Sequence, residues 1–562
     1  MNLLDLLHQQ HVLRDVDLAF ADLLRRLGAT RETQLAGAIA MRALESGHSG
    51  IALDQAGEVL ETTARLPDVA QWQAALLADP LVSTHPDAAL PLCFQHGVVA
   101  LNRYARYEQD VADAVHARSG SVIAAGEASE LLRRVFDLPD GAVEDRQALA
   151  VWRSLHTHLL LLSGGPGTGK TTTVARLLAL HLARTPDLRI ALAAPTGRAA
   201  ARMAEAVAEV VERDVAAGRL DPATAQRMQR ESFTLHRLLG WHPDGWRHGR
   251  DAPLPQQLIV VDEASMIDLP LMARLLAATA ADATLVLIGD PSQLPAVEAG
   301  DVFGALCDAA GDGAAGSRVH LERSHRQRSS LQLAPLTDAI RAGDADTVLT
   351  MLEADAIAGV QRIPADTALV PTLTALGWID GWRSLAHLPP EQALRRATQQ
   401  RVLTALRRGS DGAPAINAAI EDAIAGPQRD RHYPGRLLLI DANDPRNGLF
   451  NGDIGICLPG DDGEALAWFI GSDGLRAVRP SALPAYSSAF ATTVHKAQGS
   501  EFESVICVLP RQDSRVLTRE LLYTALTRAR ASVCLQAGDD VLCRCISRRQ
   551  RRFGALRARL AE

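Results

Sequence analysis

Apolar positions follow two regimes along the chain. From Leu3 to about residue 125 they recur near helical spacing, as in Leu3, Leu6 and Leu7 and then Val16, Leu18, Leu23 and Leu24, which predicts a helical N-terminal domain at 1–125. From about residue 126 the pattern becomes short continuous apolar runs separated by helical stretches. Strands are predicted at His158–Leu162, Arg189–Ala193, Leu258–Val261 and Thr284–Ile288, with helices at Thr171–Arg184 and Gly197–Val215. Runs that are apolar on both faces and spaced by helices predict a parallel sheet covered on both sides, here in a domain at 126–345. A second α/β domain at 346–562 carries strand-like segments near Ser504–Leu509 and Ser532–Gln536. Within it, from about 433 to 485, Gly, Asp, Asn and Pro turns separate Arg436–Ile440, Ile454–Leu458 and Ala465–Ile470, which predicts a small inserted β-barrel.

A length of 562 residues fits three to four domains and needs no disulfide or metal for stability. The net charge of −8 excludes a histone-like polycation, so any contact with nucleic acid must use local patches. Residues 1–125 hold 15 acidic and 9 basic side chains and no chemical motif, the profile of a protein-docking or structural module. The tail from Val541 to Glu562 holds seven arginines and one acid, and reads either as a solvated basic helix or as a DNA or partner contact. Seven cysteines without a CxxC pair, no signal peptide and no long apolar run lead us to expect a cytoplasmic protein with reduced thiols. The 58 basic residues comprise 56 arginines and two lysines, Lys170 and Lys496. A compact ammonium is not interchangeable with a planar guanidinium, so these two mark sites where the difference matters.

The first lysine lies in a phosphate loop. Leu159–Leu162 runs into Gly164, Gly165, Pro166, Gly167, Thr168, Gly169, Lys170, Thr171 and Thr172, the GxxxxGK[ST] pattern between a strand and a helix. Glycines let backbone N–H groups face phosphate, and the helix N-terminus adds positive potential. In that context Lys170 neutralises β/γ oxygens and the Thr171 hydroxyl is a Mg²⁺ ligand. The run Leu258–Val261 ends in Asp262 and Glu263, two carboxylates at the edge where such sheets bind ligands. Asp262 is the expected second Mg²⁺ ligand and Glu263 the group that polarises the attacking water. The run Leu285–Ile288 ends in Gly289-Asp290-Pro291-Ser292-Gln293, placing Gln293 near the γ-phosphate of ATP.

With these motifs go EDRQALA around Gln147, APTGRAAARM at 194–203, TLHRLLG at 234–240, RSHRQ at 323–327, GLFNGDIGI at 448–456, TTVHKAQGSEF at 492–502 and LLYTALTRAR at 521–530. In this order they resemble the superfamily 1 helicases, and among these the RecD subunits of the RecBCD enzyme, exodeoxyribonuclease V. The resemblance implies an α/β fold of two RecA-like parallel-sheet P-loop motor domains, with an inserted SH3-like β-barrel and a helical N-terminal domain. It implies Gln147 as the adenine-reading residue and Arg326 and Arg528 as arginines offered to the γ-phosphate across the cleft. It further implies ATP and Mg²⁺, single-stranded and duplex DNA ends, RecB-like and RecC-like partner subunits, and 5′-to-3′ unwinding in double-strand break repair.

Segments 195–198, 234–237 and 492–496 combine hydroxyls, turn N–H groups and basic or imidazole side chains suited to phosphate and sugar. Thr196, Arg198, His236, Thr493, His495 and Lys496 are the candidates for DNA. For His236 and His495 a buried hydrogen-bonded role is the alternative, and Lys496 fits either DNA phosphate or the nucleotide cleft. The WHPDGW stretch at 241–246 is either a strand-separating hairpin or a self-packed one. Neither lysine follows a carboxylate by two positions, since Thr168 and Val494 stand there, so an acid-x-Lys nuclease centre is absent. Three other readings stay open: a stand-alone RecD-like helicase, a subunit whose ATPase only gates an assembly, and an RNA helicase.

Overall fold

The computed structural model describes residues 3–119, 145–228, 231–310, 318–322, 331–444, 446–460, 462–471 and 474–562. The N-terminal region is built on helices, including Asp15–Arg26 and Arg31–Glu45, capped by Arg14 and Thr30. Against them lies a small sheet that the helical spacing did not announce. Its strands β1 (Ile51–Ala52), β2 (Val82–Ser83), β3 (Leu92–Gln95) and β4 (Val98–Leu101) are ordered β1-β4-β3-β2. Strands of two to four residues are too short to show a period.

The first large sheet contains β5 (Leu159–Gly164), β6 (Ile190–Ala194), β7 (Ser232–Thr234), β10 (Leu258–Val261), β11 (Thr284–Gly289) and β12 (Arg318–Leu321). Strands β8 (Trp241–His242) and β9 (Gly245–Trp246) form a separate hairpin. The order β12-β5-β11-β10-β6-β7 is parallel throughout. One face packs on Lys170–Arg184 and Gly197–Ala216, the other on Leu269–Ala278 and Val302–Ala310. The expected strands are all present, displaced at most by one or two residues at their ends.

The second α/β unit begins with β13 (Val360–Ile363) and β14 (Gln400–Thr404). The chain then makes β15 (Leu437–Ile440), β16 (Ile454–Pro459), β17 (Ala465–Gly471), β18 (Gly474–Val478) and β19 (Tyr486–Ser488), an antiparallel sheet in the order β18-β17-β16-β15-β19. Alternation divides its faces: Leu438, Cys457 and Phe469 enclose a core of its own, while Leu437, Leu439 and Ile456 pack into the α/β core. Strands β20 (Ala491–Thr493), β21 (Phe502–Val508) and β22 (Ala529–Gln536) complete a parallel sheet in the order β13-β22-β21-β14-β20. Its core already takes in Leu331, Leu336 and Ile340, ahead of position 346.

The arginine-rich tail is an internal strap. Arg548 pairs with Asp513 at 2.9 Å in the second unit, and the chain then crosses to the N-terminal region, where Ser49 N–H donates to Phe553 O at 3.0 Å. Arg557 pairs with Asp301 at 3.2 Å and Asp308 at 3.0 Å on the first unit. Leu556 and Leu560 finish in the core of the first sheet. No helix among the described residues is long and apolar enough to cross a membrane.

Candidate nucleotide site and the cleft between the sheets

All six residues of β5 are buried, and the chain leaves the sheet through a loop that only glycine can make. Gly167 and Gly169 lie at φ +76° and +89°. A methyl group on Gly164 would sit 2.8 Å from Thr168 Oγ1 and 3.0 Å from Leu321 O. Lys170 opens the following helix and its Nζ donates to Gly164 O at 2.6 Å and Gly165 O at 3.0 Å, so its charge lies over the loop. Thr171 and Thr172 stand half-buried in the first turn. Gln147 lies in the first turn of the Arg146–Ser154 helix, capped by Asp145, and its Nε2 donates to Thr168 O at 3.3 Å, which brings its amide to the loop's edge.

Asp262 follows β10, whose four residues are all buried, and donates its N–H to Ala193 O at 2.9 Å. Burial and then the charge of Glu263 push the Asp262 carboxyl up to about 6, against the opposing pull of Lys170. Asp262 is half-buried, and a carboxylate oxygen is the donor type that a small hard cation takes. Among the described residues no three His, Cys, Asp or Glu side chains group as metal ligands. Glu263 is held at φ +52°, a left-handed conformation that costs a residue with a Cβ.

Beyond β11, Asp290 is a junction between the two units. Its Oδ2 accepts the Gln293 side-chain amide at 3.3 Å and the Tyr523 hydroxyl at 2.7 Å, and Tyr523 belongs to the Arg519–Leu526 helix of the second unit. Burial, then the charge of Asp290, raise the Tyr523 phenol well above its ordinary value, so it stays a donor. Leu294 N–H donates to Thr524 Oγ1 at 2.9 Å, and the Gln498 amide donates to Leu294 O at 2.9 Å. Arg202 pairs with Glu501 across the same boundary. A cleft of about 620 Å³ opens beside these bonds, lined by Gly165–Thr168 on one side and Tyr523, Arg341 and Glu501 on the other. Burial disfavours the Arg341 charge, but Tyr523, Asp338 and Asp290 outweigh it and raise its pKa.

Arg528 is buried and donates to Thr524 O at 3.2 Å and Ser500 O at 3.3 Å, carbonyls of its own unit. Arg326 lies outside the described residues. Tyr523, Thr524, Gln498, Arg202 and Glu501 went unassigned from sequence although each lies inside a quoted motif. Arg341 lies in none of them.

The DNA candidates divide. Thr196 caps the Gly197–Ala216 helix by accepting from Ala199 N–H at 3.2 Å. Arg198 beside it is half-buried, its pKa pushed down to about 10 by burial and then Arg202, with Asp453 opposing. A methyl group on Gly499 would touch Ala199 at 3.5 Å and Thr196 Oγ1 at 3.8 Å, and one on Gly197 would lie 3.8 Å from Phe450. The 195–198 turn, the 494–499 loop and the tip of the inserted sheet therefore lie side by side. His236 is exposed, with its ring 5.5 Å from Trp246 and 6.3 Å from Trp241 of the hairpin. Thr493 Oγ1 accepts from Lys496 N–H at 3.3 Å, and Lys496 Nζ pairs with Asp441 at 2.6 Å beside the inserted sheet. His495 is half-buried, and burial followed by the charge of Arg552 lowers its pKa.

Known proteins match this organisation region by region. An AAA domain model matches residues 142–361, a UvrD-like helicase C-terminal domain 488–535, and the N-terminal domain of the RecBCD enzyme subunit RecD 9–99. RecBCD enzyme subunit RecD of Mycobacterium tuberculosis is 39% identical over 549 residues, covering 94% of this chain and 91% of the relative. The chain belongs to the RecD family of superfamily 1 DNA helicases. The RecD subunit of Haemophilus influenzae is 31% identical over 87% of this chain and 84% of its own. The ATP-dependent RecD2 DNA helicase of Deinococcus radiodurans is 31% identical but matches 69% of this chain and 48% of its own. A structure of Bacteroides Pif1 bound to ssDNA covers 71% of this chain and 93% of that one at 16% identity, with a TM-score of 0.38. Within this RecD-family chain, the AAA match contains the phosphate loop, Asp262, Glu263 and Gln293, and the UvrD-like match contains Gln498, Tyr523 and Arg528.

Proposed function

We propose that the chain is an ATP-driven motor that translocates 5′-to-3′ on single-stranded DNA. In the cytoplasm it would assemble with RecB-like and RecC-like subunits to unwind DNA ends in double-strand break repair. The observation that carries the motor reading is the cleft itself. The phosphate loop, the acidic strand end and Asp290 stand on one sheet, and Asp290 accepts a hydrogen bond from a helix of the other. Matching across nearly the whole length of RecBCD subunits, against half of the stand-alone helicase, supports the subunit reading.

In this reading Lys170 exchanges its bonds to Gly164 and Gly165 for the β/γ-phosphates, while Gln147 holds the adenine. Thr171 and Asp262 would hold Mg²⁺, which when bound supplies positive charge to the phosphate oxygens. Glu263 orients the attacking water and Gln293 faces the γ-phosphate. Arg528 approaches from the second domain by leaving the two carbonyls it now binds, and Arg326 is the other arginine the resemblance implies at the γ-phosphate. An arginine supplied across such a cleft is worth about 10³–10⁵ in rate. Closure on ATP and reopening would then move the groove at Thr196, Arg198, His236, Thr493, His495 and Lys496 along the strand.

Unwinding of duplexes with a 5′ or a 3′ single-stranded tail, with Lys170→Gln as the blank, tests the proposal. Activity of the purified chain confined to the 5′ tail is expected, and preference for the 3′ tail refutes the polarity. If Lys170→Gln leaves the rate and processivity of the assembled complex unchanged, this subunit is not a motor.

A further inference from the structure

The loop that follows Gln293 is gripped by the C-terminal strap as well as by the second unit. Arg552, in the C-terminal strap, donates from Nη2 to Ala296 O at 3.0 Å and from Nη1 to Ser46 O in the N-terminal region. One residue along, Gly300 N–H donates to Gly47 O at 2.9 Å. Gly47 lies at φ +80°, and a methyl group there would overlap the Arg552 guanidinium. A single planar cation thus bridges the N-terminal region and the segment 294–300, whose other end is bonded to Thr524 and Gln498 of the second unit. Of the neighbouring arginines of the strap, Arg551 does not reach this loop and Arg557 meets only its last residue, Asp301. Arg551 pairs with Glu58 at 3.2 Å, and Arg557 with Asp301 and Asp308.

From this we infer that Arg552 is a positioning residue for hydrolysis. It fixes the back of the Gln293 loop against Ser46 and Gly47, and so ties the state of the nucleotide cleft to the N-terminal domain. The inference rests on the reading of Gln293 as the residue facing the γ-phosphate. A loop pinned at its far end transmits a shift at Gln293 to whatever holds that end, and a shift of the holder returns to Gln293. The guanidinium fits because its planar fork presents separate N–H groups, Nη1 and Nη2, in fixed directions to carbonyls on two different segments, whereas an ammonium is a single compact point of donation.

Steady-state ATP hydrolysis on single-stranded oligonucleotide tests it, using the full chain with the partner subunits wherever wild type needs them to turn over. Arg552→Ala is expected to lower kcat about tenfold while KM for ATP stays within about twofold, a size usual for coupling through a packed network. Arg552→Lys should recover part of the loss, and Arg551→Ala, in the same strap, should match wild type. Gly47→Ala keeps Arg552 but displaces it, and should reproduce the drop in kcat in a chain whose thermal unfolding stays cooperative. Wild-type kcat in Arg552→Ala or Gly47→Ala overturns the inference, as does an equal drop in Arg551→Ala. Gln293→Ala separates the two levels: wild-type kcat there sinks the reading of Gln293 itself, and a large drop beside a silent Arg552→Ala sinks only the link.

Discussion

The two parallel sheets are built alike and used differently. Strands β5, β10 and β11 of the first sheet each run straight into chemistry at their C-terminal ends: the phosphate loop, the Asp262–Glu263 pair and Asp290. No strand of the second sheet ends in a phosphate loop. That unit acts through a helix and a loop, which send Tyr523, Thr524 and Gln498 across the boundary to Asp290 and Leu294. One sheet holds the reactants, and the other reads a loop beside them. A local constellation needs the right residues at fixed spacing, whereas a reading contact needs only one good hydrogen bond in the right place.

The largest effect should come from the holding sheet. Lys170→Gln and Lys170→Arg should both reduce ATP hydrolysis, by about 10²–10³-fold on the scale of removing one preorganised charge from a reacting centre. The arginine variant is the sharper test, since it keeps the charge in a chain that uses arginine for all but two of its cations. Near-normal turnover by Lys170→Arg would mean that the compact ammonium over Gly164 and Gly165 is not what the loop requires.

On the reading sheet, Tyr523→Phe removes a hydroxyl from a buried carboxylate and leaves Asp290 Oδ2 with the longer bond from Gln293. A hydrogen bond to a charged group is worth about 1.5–3 kcal/mol. If the bond serves domain closure, kcat for DNA-stimulated hydrolysis should fall about tenfold with nucleotide affinity nearly unchanged. Equal losses of affinity and turnover, measured by nucleotide titration beside kinetics, would move Tyr523 to the holding side.

Burial of Asp262 sets two opposed pH effects in the first sheet. Its folded-state pKa is raised to about 6, so the native chain binds this proton more tightly than the unfolded chain. The resulting stability is present below the ordinary carboxylate range and is lost as pH rises through about 6. Asp262→Asn should therefore raise the melting temperature at pH 7.5 and leave it nearly unchanged at pH 4, while abolishing hydrolysis. If Asp262 acts as the proposed metal ligand, wild-type kcat/KM should fall as pH drops below about 6. A melting temperature that Asp262→Asn lowers at pH 7.5 would show that its hydrogen bond to Glu263 N–H outweighs the cost of burying the charge.

The same division explains what could be read beforehand. LLLL, LIVV and TLVLI announce themselves because burial on both faces admits only apolar residues. Each ends in a motif whose spacing is its chemistry. The strands of the N-terminal sheet have no such run, and helices on either side set the apparent period there. Tyr523 and Asp290 stand 233 positions apart, and a phenol meeting a carboxylate has no local pattern. The tail misled for the same reason. Its arginines looked free because Glu58, Asp301, Asp308 and Asp513, the acids that take them, are scattered over the chain.

The second lysine, Lys496, gives the smallest expected effect and, set beside Lys170, the finest cut. Lys496 lies in a motif as specific as the phosphate loop, yet its ammonium meets Asp441 at 2.6 Å with 43% of the side chain exposed. An exposed pair of this kind is worth about 0–1 kcal/mol, and a guanidinium can make it as well as an ammonium. Lys496→Arg should therefore change single-stranded DNA affinity and hydrolysis by no more than about twofold. Lys496→Ala should lose affinity only where the ammonium leaves Asp441 for a DNA phosphate, and that loss should shrink as salt rises. A Lys496→Arg variant as impaired as Lys170→Arg, in the same hydrolysis assay, would show that the second sheet also holds a position where only an ammonium fits. The line between a holding sheet and a reading sheet would then fall elsewhere.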